Sequence, residues 1–74
     1  MLEKGDMLTL DDGKDYTVVE TLDYNNKKYC YLIDVNNYEN ISFCEIINND
    51  ELEEVEDEEL RFELLEKFNQ LLNE

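Results

Sequence analysis

Seventy-four residues carry 21 acidic side chains against 6 basic ones and no histidine, for a formal net charge of −15. A field of that sign repels nucleic acid and anionic membrane, because phosphate binding needs clustered Lys and Arg. The missing histidine removes the usual zinc constellation, two cysteines are too few for a disulfide scaffold, and the length allows one small domain with a thin core.

The first residues read as a lead-in without an apolar h-region. No stretch approaches a membrane span, so the expected setting is cytoplasmic. A first strand is expected over about 6–10. Asp12-Gly13 at the centre of the next turn is a type I′ hairpin signal. Residues 16–22 are rich in β-branched side chains and read as the second strand. Asn25-Asn26 is the following turn, since Asn tolerates positive φ better than most residues. Residues 29–35 form the third strand, 36–40 turn again, and 41–47 form the fourth. Asn48-Asn49-Asp50 ends it, and 52–55 adds a fifth strand if it pairs. With no proline in the chain, any of these strands can be central. Tight turns between neighbours imply an antiparallel meander of four to five strands.

Two-residue turns at Asp12-Gly13 and Asn25-Asn26 would set Leu10 opposite Asp15 and Val18 opposite Ile33. One face then holds Met7, Tyr16, Val18, Leu22, Tyr29, Tyr31 and Ile33. The other holds Leu8, Leu10, Val19, Cys30 and Leu32, mixed with Thr17 and Thr21. The first face is the more apolar, and the helix is expected there. The register of the fourth strand stays open, because a one-residue slip exchanges its faces. Cys30 and Cys44 lie in apolar alternating stretches and are expected as small buried hydrophobes. A bridge between them would require one particular register.

The last third organises the rest. An acidic run over 50–59 leads into an amphipathic helix over about 58–72. At helical spacing Leu60, Leu64, Leu65, Phe68, Leu71 and Leu72 share one arc, the pattern of a helix lying on a core. Arg61 interrupts the arc, and its aliphatic stem can cover apolar surface. Asp57 suits the N-cap, and Glu58 and Glu59 then meet the positive end of the helix dipole. Asp57 with Arg61 and Glu63 with Lys67 are acid-first i,i+4 pairs, each contributing roughly 0.2–0.5 kcal/mol. Packing must supply the rest, because isolated helices this short are marginal. The expected class is α+β: the meander with one C-terminal helix across one face.

Four stretches together resemble the YrzB-like family, small acidic Firmicute proteins built around a domain without an established activity. Leu8-Thr9-Leu10-Asp11-Asp12-Gly13 resembles its opening strand and turn. Lys27-Lys28-Tyr29-Cys30-Tyr31-Leu32 resembles its Gly-Lys-x-Tyr-x-Leu-Leu strand. Leu52-Glu53-Glu54-Val55-Glu56-Asp57-Glu58-Glu59 resembles its Leu-x-Pro-Ile/Val-x-Asp-Glu-Glu run, and Phe68-Asn69-Gln70-Leu71-Leu72 resembles its Phe-Asn-x-Leu-Leu helix end. Glu54 stands where the family has proline, and Glu20 where it is usually apolar. The resemblance implies a bacterial, Firmicute setting, and it brings no established activity to carry over to these residues.

The chain offers little for catalysis. Ser42 is its one serine, neither it nor the cysteines has a histidine to activate it, and there is no Gly-rich phosphate loop. Paired carboxylates need a concave pocket between them to do glycosidase-type work. Residues 34–45 match a calcium loop at positions 1, 3, 8, 9 and 12. They fail at position 5, where Tyr38 stands, and at position 6, where Glu39 replaces the required glycine. No catalytic group, metal site or cofactor is therefore expected.

What remains is recognition. Solubility and the helix dipole explain much of the acidic run. The sharper reading is a non-catalytic protein-interaction module facing a basic protein surface, with Glu51, Glu53, Glu54, Glu56, Glu58, Glu59 and Phe62 as the candidate contacts. Phe62 lies outside the helix stripe, and Tyr24 and Tyr38 fall in turns. Exposed aromatics of that kind favour interfaces. Two alternatives carry different chemistry: a nucleic-acid mimic that inhibits a basic nucleic-acid-binding protein, and a weak divalent-cation binder. An exposed Phe62 could also serve, with a sheet edge, in a homodimer.

Overall fold

The computed structural model describes residues 2–48 and 51–73. Five antiparallel strands pair in sequence order and curl, and one helix follows: β1 (Met7–Thr9), β2 (Asp15–Tyr24), β3 (Lys27–Asp34), β4 (Asn37–Ile46), β5 (Leu52–Glu54) and α1 (Glu58–Leu72). The fold is α+β, a meander with a C-terminal helix. The break expected at Asn48-Asn49-Asp50 falls partly at Asn49 and Asp50, outside the described residues.

The turns set the register. Asn25 and Asn26 adopt φ of 53° and 65°, so Tyr24 pairs with Lys27 across a two-residue connection. The first hairpin differs from the expected type I′ turn. Gly13 alone is left-handed there, at φ 78°, and its N–H donates to Leu10 O at 2.9 Å. That is a three-residue loop closed by a glycine, the other frequent use of an Asp-Gly pair. It sets Leu8 opposite Tyr16 and leaves Leu10 beside Lys14, whose carbonyl accepts the Leu10 amide at 3.1 Å.

A bulge in β2 makes the larger correction. Leu22 pairs with Tyr29 and Glu20 with Tyr31, but Val18 pairs with Leu32 rather than Ile33, because Val19 is an extra residue. An inserted residue reverses the alternation beyond it. Leu22 and Tyr24 therefore share the helix face with Tyr29 and Tyr31, while Tyr16 and Val18 turn to the opposite face with Cys30 and Leu32. Met7, expected under the helix, is 65% exposed. β4 begins earlier than expected, at Asn37, and residues 38–40 are extra relative to β3, since Asp34 pairs with Asn37 but Ile33 with Ile41.

Two small cores result. On the helix face Tyr29, Phe43, Val55, Leu64 and Phe68 are buried. Phe68 lies parallel to Phe43 at 5.6 Å between ring centres, and Tyr31 meets both rings edge-on at 5.2 and 5.5 Å, within the range aromatic pairs favour. On the opposite face Tyr16, Val18, Cys30, Leu32 and Cys44 are buried, flanked by Leu2, Leu8, Leu10, Ile46 and Leu52. Cys30 and Cys44 are direct cross-strand partners and both are free thiols. The hydrogen bond to Cys44, aided by burial, pushes the Cys30 thiol up.

The helix starts where its chemistry places it. Asp57 caps it, accepting from the Glu59 and Leu60 amides at 3.0 and 3.4 Å. Its apolar arc is covered unevenly: Leu64 and Phe68 are fully buried, Leu60 and Leu65 half-buried, and Leu71 and Leu72 exposed. The carboxylate of Asp57 serves the cap rather than a pair with Arg61, and the expected Glu63–Lys67 pair is replaced by contacts to the sheet. Glu63 accepts from the Tyr24 hydroxyl at 2.6 Å, and Lys67 lies 5.9 Å from the centre of the Tyr24 ring. Ion pairs among the described residues are Lys4–Glu20 at 3.5 Å and Lys27–Glu45 at 3.7 Å.

Candidate functional site

The seven candidate contacts do not form one surface. β5 alternates, so neighbouring glutamates part company. Leu52 pairs with Ile46 and Glu54 with Cys44, which puts both on the face away from the helix. Glu53 pairs with Glu45 and belongs to the helix side. Glu51, Glu56, Glu58 and Glu59 are exposed around the approach to α1. Glu58 and Glu59 occupy its first turn, where the dipole stabilises them.

Phe62 is 64% exposed on α1. With Glu58 one turn earlier, Arg61, Leu65 and Ile41, it lines a shallow hollow of about 270 Å³. Phe43 closes the hollow toward the core. An exposed aromatic is thus continuous with the buried aromatic cluster and bordered by both signs of charge. Tyr38, in the extra segment of β4, is 73% exposed. Tyr24, expected in a turn, ends β2 and is tied to the helix through Glu63. That bond raises its phenol above the ordinary value.

Sequence reasoning missed two features. One is a polar cluster at the end of the sheet that holds the β3–β4 hairpin. Asn40 donates from Nδ2 to the Tyr16 hydroxyl and to Asp34 Oδ2, both at 3.2 Å, and the Tyr16 hydroxyl donates to Asp12 at 2.9 Å. Asp34 Oδ1 accepts the Asn36 amide at 2.8 Å. That amide, with Asn40, holds the Asp34 carboxyl below the usual carboxylate range. Burial, with the Asp12 contact, pushes the Tyr16 phenol up. Every buried side-chain polar atom among the described residues has a partner, so this cluster reads as architecture. Asp-x-Asn-Asn at a turn was its signal, since Asp bonds its own backbone two residues on. The other feature is an opening of about 510 Å³ between β1 and β5. Leu8, Leu10 and Leu52 line it together with Asp11, Asp12 and Glu54.

The residues once matched to a calcium loop form a β-hairpin, and no metal-holding group of acids, cysteines or histidines occurs among the described residues. No helix among them is long and apolar enough to cross a membrane. Comparison with family models, with curated proteins and with solved structures returns no match. The resemblance to the YrzB-like family therefore rests on its four stretches alone.

Proposed function

We propose that this chain is a non-catalytic protein-interaction module whose helix presents Phe62, within an acidic surround, to a basic protein surface. The observation that carries the reading is the exposure of Phe62 beside Glu58 on a helix whose other side is already committed to the core. A large aromatic supplies contact area at small entropic cost, and interfaces are enriched in such residues. The carboxylates of Glu51, Glu53, Glu56, Glu58 and Glu59 would steer a basic partner toward it and speed encounter more than they tighten the complex.

The test is affinity capture at low salt and at about 0.5 M salt, where screening is nearly complete beyond a few ångströms. The native chain is compared with Phe62→Ala and with a Glu53→Lys, Glu56→Lys, Glu58→Lys triple variant. The expected result is a protein held by the native chain, weakened by the triple variant at low salt and lost with Phe62→Ala at both. A nucleic-acid-binding protein that is displaced by DNA, and is indifferent to Phe62→Ala, would establish the mimic in its place. Identical capture by all three chains would reject the proposal.

A further inference from the structure

The two outer strands of the sheet present unpaired backbone across one opening. Val18 N–H donates to Asp6 O at 2.8 Å and Leu10 N–H to Lys14 O at 3.1 Å, and these bonds bracket β1. Antiparallel ladders alternate, so Leu8 bonds inward to β2 while the N–H and C=O groups of Met7 and Thr9 point outward. β5 is bracketed likewise, by Ile47 N–H to Glu51 O and Val55 N–H to Phe43 O, both at 2.9 Å. Glu53 therefore bonds to β4, and the backbone groups of Leu52 and Glu54 point outward. No strand among the described residues pairs with either edge.

Direction decides what can fill the gap. Five strands alternating in sense leave β1 and β5 running the same way. They cannot close an antiparallel ladder on each other, but one strand antiparallel to both continues the meander on each side. The cavity between them offers Leu8, Leu10 and Leu52 to such a strand, half-buried against the second core. Its charged lining is Asp11, Asp12 and Glu54, and no Lys or Arg lines it.

We propose that this opening receives an extended segment of a partner protein, whose every second side chain faces inward and is by turns apolar and Lys or Arg, laid antiparallel to β1 and β5. Main-chain bonds to Met7, Thr9, Leu52 and Glu54 hold it, as in other strand additions to a free edge. Its inward apolar side chains rest on Leu8, Leu10 and Leu52, and its inward cations meet Asp11, Asp12 and Glu54, which lies on the same face as Leu52. Charge disfavours a second copy of this chain as occupant, since each copy carries −15. The site uses the face of the sheet away from Phe62 and stands independently of binding at the helix.

The probe is a capped seven-residue peptide, Val-Thr-Lys-Thr-Val-Thr-Lys, whose Val and Lys share one face when extended, titrated into the full-length native protein and followed by amide shifts and hydrogen exchange. A second peptide of the same sequence has alternate backbone amides methylated, which keeps its charge and removes its donors toward one of the two edges. The expected result is slowed exchange and shifted signals at Met7, Thr9, Leu52 and Glu54, with the methylated peptide binding at least about tenfold more weakly, the effect of losing one or two net hydrogen bonds. Glu54→Lys weakens the parent peptide, and Phe62→Ala leaves it unchanged. Equal binding of both peptides, with shifts spread over the acidic surface, would reduce the effect to charge attraction and reject the site. So would no binding, or self-association of the protein that covers the same four amides. If Glu54→Lys does not fold, the peptide comparison on the native chain decides alone.

Discussion

The Asp34 carboxylate fixes the β3–β4 hairpin through the Asn36 amide at 2.8 Å and Asn40 at 3.2 Å. Its pKa is depressed in the fold, chiefly by that amide. A depressed carboxylate stabilises the protein at pH values above its unfolded pKa of about 4, and the contribution is lost as pH falls through the folded value. Denaturant midpoints at pH 7 and pH 3 should therefore drop further for the native chain than for Asp34→Asn, which starts lower at pH 7. Parallel drops would show that Asp34 does not drive the acid loss. The two exposed-or-buried phenylalanines of α1 make a second comparison. Phe68 has no exposed surface and touches two aromatic rings, whereas Phe62 is 64% exposed. Phe68→Ala should cost about 3–5 kcal/mol, a large part of the roughly 5–15 kcal/mol that holds a small domain. Phe62→Ala should stay within about 0.5 kcal/mol. Urea unfolding checks both, and a large loss from Phe62→Ala would mark it as a packing residue rather than a contact. Periodicity separated these two side chains correctly, because helical spacing is a local property. It could not show that Leu71 and Leu72 lie exposed, since that depends on where the sheet ends beneath the helix.

At the scale of elements, the turns and the bulge decide which side chains meet. Asn25 and Asn26 both hold positive φ, and glycine is the residue that the second position of such a turn favours most. Asn26→Gly should raise stability by a few tenths of a kcal/mol to about 1 kcal/mol, as it removes a left-handed non-glycine residue. A melting temperature that falls would mean the Asn26 side chain contributes more than its backbone strain costs. That turn was legible because paired Asn residues carry the mechanism in their own chemistry. The bulge at Val19 was not. Thr17-Val18-Val19-Glu20-Thr21 reads as an uninterrupted strand, and no glycine marks the extra residue. The error passed to Tyr16 and Val18, which were placed under the helix and lie on the opposite face. Glu20 lies on the turn side of the bulge and keeps the expected register opposite Tyr31, on the helix side of the sheet, half-buried, where Lys4 pairs with it at 3.5 Å. Glu53 and Glu54 part for a simpler reason: the period of a strand sends neighbours to opposite faces. The opening between β1 and β5 joins Leu8 to Leu52, and only the curl of the whole sheet brings them together.

At the scale of the whole molecule, charge and size set one further expectation. The protein measures 28 × 26 × 23 Å and carries a formal charge of −15. The screening length is about 30 Å at 0.01 M salt, longer than the molecule, so every carboxylate then repels every other through and around the fold. At about 0.15 M it falls to roughly 8 Å, and only near neighbours still interact. Repulsion of like charge destabilises the compact state more than the expanded one. The melting temperature should therefore climb between 0.01 and about 0.15 M sodium chloride and level off above that range. A scan in sodium chloride and another in choline chloride should coincide, because the effect depends on ionic strength and not on the identity of the cation. Calcium chloride at matched ionic strength separates the remaining chemistry. A rise no larger than with sodium means diffuse screening of the carboxylates at Glu51, Glu53, Glu54, Glu56, Glu58 and Glu59. A further rise that saturates at millimolar calcium would instead establish a bound divalent cation. A melting temperature indifferent to all three salts would mean that the counted charge does not act on the fold, and the steering assigned to the acidic surround of Phe62 would lose its physical basis.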